Sequence, residues 1–297
     1  MRGRVGKFAT HLPLVIDQCW KRDRSCGGAH TVIRLPYSTN DMSTGEPILL
    51  LGATGNLGKH LLASLHAAKC SQVTLLVRSP EKLPADVPKN YKIIKGEISD
   101  ADVLKDALVG ASSVIMTAGR PDVVDEPGKA PGSLRTLFRL VYDAVLASKN
   151  PPRLMALGGL GILDAPGSGF VYQLPFFPAV GKGYTVIHDA NLALLRASNL
   201  EWTFFCPGLM VEDDKRSVAV TFDHAPFFDP TSSAGTLLSY LPSIFSTAAM
   251  GVYKNIQVMS YRKVADVIVD VALQAPSPAG RPLADFNHKR VGFYSVS

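Results

Sequence analysis

The sequence predicts an α/β fold, a doubly wound parallel sheet with a small lobe built from long insertions in the C-terminal half. Three observations lead there. From Ile48 onward, apolar strand patterns alternate with amphipathic helix patterns, as expected of parallel strands joined by crossover helices. The first strand runs directly into a turn carrying Gly52, Gly55 and Gly58. A chain of 297 residues with 46% hydrophobic content is also long enough to fill one large core.

The elements follow in order. The run Ile48 to Gly52 is a short apolar strand. Leu57, Leu61, Leu62, Leu65 and Ala68 recur at helical spacing, which predicts a helix over 57–68. A second strand spans 73–77, so the first three elements make a βαβ unit. Strands at 91–95, 112–116 and 153–157 alternate with helices at 101–108 and 133–148. A helix from about 184 to 198 and a strand from Trp202 to Phe205 come later.

Glycine at positions 52, 55 and 58 permits a tight turn, close backbone approach to a pyrophosphate, and close packing of helix on strand. Gly52, Thr54, Gly55, Asn56, Leu57 and Gly58 therefore read as a dinucleotide site with phosphates at the helix N-terminus, the mark of a Rossmann fold. The competing reading is a glycine-rich turn that holds nothing. Arg78 ends the second strand where an NAD site places an acid, and Ser79 and Lys82 stand close by, so NADPH is expected over NADH. Arg78 as a plain solvated cation is the alternative. Ligands in such folds lie at the carboxyl ends of strands. The ends in question carry Glu97 and Ile98, Thr117, Ala118 and Gly119, the Gly158-Gly159 pair, and Pro207.

The formal charge of +6 is concentrated in the first forty-odd residues. No basic run interleaved with aromatics appears, so a nucleic-acid surface is not expected. Cys19, Cys26, Cys70 and Cys206 are scattered without metal-ligand spacing and read as reduced thiols. No apolar run approaches a membrane span, and the leader lacks a signal-peptide core, so a cytoplasmic protein is expected. Residues 1–45 are expected to be a disordered extension, with the working domain over 46–297.

The carriers GATGNLG at 52–58, Arg78, Gly96-Glu97-Ile98-Ser99-Asp100 and the block from His188 to Met210 resemble the atypical short-chain dehydrogenase/reductases. More narrowly, they resemble the NmrA-like or NAD(P)H-binding group, which includes flavin and quinone reductases. The resemblance covers about Pro47 to Ala272. Departures accompany it: Cys206 stands where the group commonly has Arg, Asn191 near a frequent Glu, and Gly158-Gly159 where a Ser is common.

The better-known branch of that group works through Tyr-x-x-x-Lys. The literal match, Tyr91 to Lys95, lies in a strand far from the nicotinamide end and reads as a decoy. The helix that would carry the motif has Tyr184, His188, Asn191 and Leu195 on one stripe, with His188 in the place of the lysine. An imidazole with its ordinary value near 6.5 suits a proton donor at neutral pH, and a packing histidine is the rival reading. The catalytic candidates are thus His188 and Tyr184. Two long connections, about 164–182 and 211–250, are rich in aromatics and predict a substrate-binding lobe for a small apolar molecule, with a dimer contact or ordinary core as the alternatives. An NADPH-dependent reductase of a carbonyl, quinone or conjugated double bond follows. A redox sensor that holds NADP without turnover, or a non-redox enzyme with a structural nucleotide, competes with it. A homodimer is left open.

Overall fold

The computed structural model describes residues 46–120, 122–123, 125, 128–129, 131–165, 169–174, 177, 179–213, 217–225, 258–273 and 286–296. The expected extension over 1–45 and most of the 211–250 connection lie outside these.

Twelve strands and five helices follow from Ile48 onward among the described residues. The first half of the chain gives β1 (Ile48–Leu51), α1 (Asn56–Ala67), β2 (Val73–Val77), β3 (Lys92–Lys95), α2 (Ala101–Leu108), β4 (Ser113–Met116), α3 (Leu134–Leu146) and β5 (Arg153–Leu157). A small hairpin, β6 (Asp164–Ala165) and β7 (Gly169–Phe170), precedes α4 (Ala179–Arg196) and β8 (Trp202–Cys206). The remainder is β9 (Leu209–Val211), β10 (Ser217–Phe222), β11 (Val258–Ser260), α5 (Tyr261–Leu273) and β12 (Lys289–Val296).

Eight strands form the central sheet in the order β10-β12-β8-β5-β4-β1-β2-β3. Every neighbouring pair is parallel except β10 with β12. The chain starts in the middle, winds outward to β3, returns through β4 and β5, and finishes at the far side. Both faces are covered, so the inner strands are apolar on both sides. In β1, Leu49 and Leu51 point to a core shared with Leu104 of α2, Phe138 of α3 and Leu195 of α4. Ile48 and Leu50 point the other way, to Leu61 and Leu65 of α1 and Ile268 of α5.

Several boundaries differ from the sequence reading. The first strand stops at Leu51, because Gly52 turns to φ +95°. The strand expected over 91–95 starts at Lys92 and is an exposed edge, with Ile93 46% accessible; flanking lysines suit such an edge, since they discourage pairing with another chain. The larger correction is α4. It begins at Ala179, not near 184, because Gly181 is tolerated where Phe177 packs on it: an added Cβ there would meet the Phe177 ring at 2.7 Å. Tyr184 and His188 consequently sit inside the helix, beyond its first turn. Among the later elements, β6, β7, β9, β10, β11, α5 and β12 are absent from the sequence reading, although β10 and β12 belong to the central sheet.

Candidate functional site

The carboxyl ends of β1 and β4 meet at the glycine turn. Thr117 donates both its backbone N–H and its hydroxyl to the Leu51 carbonyl, at 2.9 and 3.1 Å. That tie brings the 117–119 backbone against Gly52, where an added Cβ would stand 2.7 Å from the Ala118 nitrogen. The same turn accepts α1 at contact distance, since a Cβ on Gly58 would fall 1.9 Å from the Gly52 carbonyl oxygen. Gly55 N–H donates to that oxygen at 2.9 Å. Close approach of helix to strand end is the property that the three-glycine spacing predicts.

The N-terminus of α1 carries no side-chain cap and no acid in its first turn. Thr54, Gly55 and Asn56 are exposed beside it. Uncapped N–H groups at a helix start attract an anion through hydrogen bonding and the helix dipole. By contrast α2 and α3 are capped by their own side chains: Asp100 accepts from Asp102 and Val103, and Ser133 from Thr136. Leu57 contributes by backbone alone, because its side chain is in the core.

Arg78 is exposed at the end of β2, one strand over, and pairs with no carboxylate among the described residues. Ser79 follows it, half-buried. Glu97 and Ile98 follow β3 after Gly96, with the Ser99 hydroxyl donating to Glu97 at 3.2 Å. These groups border the glycine turn on the β2 and β3 side. The residues present therefore fit a dinucleotide whose phosphates lie on α1 and whose adenosine half lies toward Arg78.

On the other side of the turn, Met116, Thr117, Ala118, Gly119, Leu134, Leu157, Gly158 and His188 line a pocket of about 100 Å³. The sequence names Thr117, Ala118, Gly119, Gly158 and His188 as site residues; Met116, Leu134 and Leu157 escape it, because nothing local marks an apolar residue at a helix start or strand end as lining. Pro207, which follows β8, is buried, and its carbonyl accepts from Leu160 N–H at 3.0 Å. Cys206 is buried too, its thiol pushed up by desolvation.

His188 is 9% exposed, and its ring stands edge-on to Phe204 at 6.3 Å. Burial pushes the imidazole down to about 4, which corrects the expectation of a donor near 6.5. The ring is neutral at physiological pH. The stability consequence has a definite sign: between pH 6.5 and 4 the unfolded chain binds the proton more readily, so acid destabilises the fold through this residue. Replacing His188 with Leu is expected to flatten the fall in melting temperature over that interval. Asp270, pushed up to about 6 by desolvation and by Asp266, acts with the opposite sign in both proteins and cancels in the difference. Equal slopes in parallel melts at pH 6.5 and 4.5 would contradict the assignment.

Tyr184, one turn earlier on α4, is 38% exposed. Arg120 is ion-paired with Asp122. Asp125 receives Gly132 N–H, Ser133 N–H and the Ser133 hydroxyl at 2.8, 2.8 and 2.6 Å. Those bonds, the Ser133 hydroxyl foremost, hold its carboxyl far below the usual carboxylate range and pin the loop before α3. The literal Tyr-x-x-x-Lys match is not held in one strand: Tyr91 precedes β3 and is buried, with its phenol pushed far up by desolvation, whereas Lys95 ends β3 and is exposed.

The expected lobe divides. Its first connection packs against the flank of α4: Tyr172 donates to Asp189 at 2.9 Å, and the Phe170 ring lies under the guanidinium groups of Arg290 and Arg196. Arg290, 2% exposed, makes a two-pronged bond to Asp164 at 2.8 and 2.7 Å and also reaches Asp223 and the Ile162 carbonyl. Of the second connection, Phe227, Phe228 and Tyr240 fall outside the described residues.

Residues 52–237 match the sequence family described as NAD(P)H-binding. Similar solved structures include a short-chain dehydrogenase/reductase from Veillonella parvula in complex with NADP. It has 16% identity and TM-score 0.58, covering 84% of this chain and 94% of that one. An NADH-flavin reductase by name, from Streptococcus pneumoniae, shares 21% identity at TM-score 0.57 over 85% of this chain and all (100%) of that one. A protein from Bacteroides thetaiotaomicron named as an epimerase has 16% identity and TM-score 0.59, covering 86% and 99%. At such identities the likeness is one of fold. No helix among the described residues is long and apolar enough to cross a membrane.

Proposed function

The chain belongs to the NAD(P)H-binding family, and from that premise we propose that it is an NADPH-dependent reductase of a carbonyl, quinone or conjugated double bond in a small apolar or aromatic molecule. One observation carries the choice of cofactor: an exposed Arg78, with no carboxylate partner among the described residues, follows β2, the strand next to the one that leads into the uncapped α1. A guanidinium there suits a 2′-phosphate, whereas the ribose hydroxyls of NADH call for an acid. When bound, the reduced nicotinamide supplies the hydride. The chain's own part is positioning. Backbone N–H groups of Thr54 to Leu57 hold the pyrophosphate, Arg78 and Ser79 the 2′-phosphate, and Glu97 and Ile98 border the adenosine half. Thr117 to Gly119 provide the flat floor. Pro207 backs the nicotinamide end, where His188 and Tyr184 face the reacting groups.

NADPH is expected to bind more tightly than NADH by about 1.5 to 3 kcal/mol, roughly 10- to 150-fold, the usual worth of hydrogen bonds to a charged group. Arg78→Ala should erase most of that preference. Fluorescence titration of both cofactors against both proteins measures it, and equal affinities in the unmodified chain would refute the assignment.

The absence of Tyr-x-x-x-Lys at α4 favours a second reading, an NADP-holding redox sensor without turnover. Oxidation of NADPH in the presence of a panel of quinones, enones and aromatic carbonyls separates the two. Tight binding with no oxidation across the panel selects the sensor.

A further inference from the structure

Two polar groups on the buried face of α4 have no hydrogen-bond partner among the described residues: His188 Nδ1 and Asn191 Nδ2. They stand three residues apart, on the same side of the helix. A buried donor or acceptor left unpaired costs about 1 to 3 kcal/mol, so such groups are rare unless something else completes them. His188 also lines the pocket at the strand ends. Its position depends on a missing side chain, because a Cβ on Gly159 would press on the imidazole at 3.2 Å from Cδ2 and 3.5 Å from Nε2. Phe204 fixes the ring from beneath.

We infer that His188 is a neutral hydrogen-bonding group that holds the nicotinamide half of the cofactor in this pocket, and that it is not the proton donor. The inference rests on the cofactor reading above. No charged group faces the ring among the described residues. Phe204 meets it from β8, Gly159 from the turn after β5, and Thr117, Leu134 and Leu157 share the pocket wall. On α4 itself, the titratable neighbours are Tyr184, exposed a turn earlier, and Asp189, bound to Tyr172. Desolvation is the cause that holds the imidazole uncharged. A group of this kind orients a ligand through its N–H or its lone pair at every pH at which the protein is folded. A lysine in the same place would do so by charge. The proton for any reduced product then comes from Tyr184 or from solvent at the open side.

The test uses the full chain and two probes. One is NADPH. The other is adenosine 2′,5′-bisphosphate, which keeps the 2′-phosphate and lacks the nicotinamide. His188→Leu preserves the packing on Phe204 and is expected to weaken NADPH about tenfold, the worth of one net hydrogen bond, while leaving the bisphosphate unchanged. Arg78→Ala should weaken both. If His188→Leu fails to fold, His188→Asn, which keeps a neutral donor, should show a smaller loss confined to NADPH. Nitrogen-15 imidazole signals of His188 should stay those of a neutral ring from about pH 5.5 to 8. NADPH affinity unmoved by either substitution, or a His188 titration centred near its ordinary value of about 6.5, would overturn the inference. If the unmodified chain binds neither probe, the cofactor reading fails and takes this inference with it. Binding of both probes with His188 indifferent refutes the inference alone.

Discussion

Replacing Arg290 with Met is expected to destabilise the fold by about 3 to 5 kcal/mol, the cost typical of removing one partner from a buried ion pair. The guanidinium is 2% exposed and satisfies Asp164, Asp223 and the Ile162 carbonyl together. Its loss leaves Asp164 and the Ile162 carbonyl facing an apolar side chain, while Asp223 keeps Lys289 at 3.2 Å. Both carboxylates retain some solvent, at 34% and 25% side-chain exposure, so the lower end of the range applies. A thermal melt should show a drop of roughly 6 to 12 °C, persisting in molar salt because buried pairs are weakly screened. Arg139 and Asp143 provide the contrast: they form a helical i,i+4 pair at 58% and 48% exposure, and their removal should leave the melting temperature almost unchanged. A shift below about 2 °C for Arg290→Met would show that the network is not holding β6, β10 and β12 together.

Gly58→Ala should cost cofactor binding more than any other single methyl group. Its Cβ would lie 1.9 Å from the Gly52 oxygen and 2.8 Å from the Gly52 carbon, both backbone atoms that have no rotamer to relieve the clash. The start of α1 must move outward, enough to break a charge-assisted hydrogen bond to the pyrophosphate, worth roughly 10- to 150-fold in affinity. Titration with NADPH reads the loss, and circular dichroism reports whether the helix survives. Retained affinity with an intact fold would mean that the turn has slack that the described geometry denies.

The βαβ start was legible because everything it needs is local: a short apolar run, glycines at fixed spacing, and leucines at helical period. The proposed cofactor half of the site rests on that same local chemistry, through Arg78 and the strand ends. What escaped depends on distance along the chain. Val264, Ala265, Ile268, Val269 and Ala272 do repeat at helical spacing in α5, but the strand before it is three residues long and gives little signal. In β12, Lys289 and Arg290 open the strand with two charges and so give no apolar strand signal. Arg290 is buried only because carboxylates 126 and 67 residues away meet it. The charge state of His188 escaped for a like reason, since Phe204 and the vacancy at Gly159 set its surroundings and neither neighbours it in sequence.

The place of β12 in the sheet bears on how the protein is made. It lies between β8 and β10, yet it follows every other described element in chain order. On a ribosome adding about 5 to 20 residues per second, β8 emerges several seconds before its neighbour exists. Until then β8 presents an unpaired parallel edge, and β10 lacks the partner with which it pairs from Ser217 to Phe222. Asp164 and Asp223 likewise await Arg290, which arrives on the same strand. Sheet closure and charge neutralisation are therefore one late event, and the nascent chain depends on holding that open edge away from other strands in the interval.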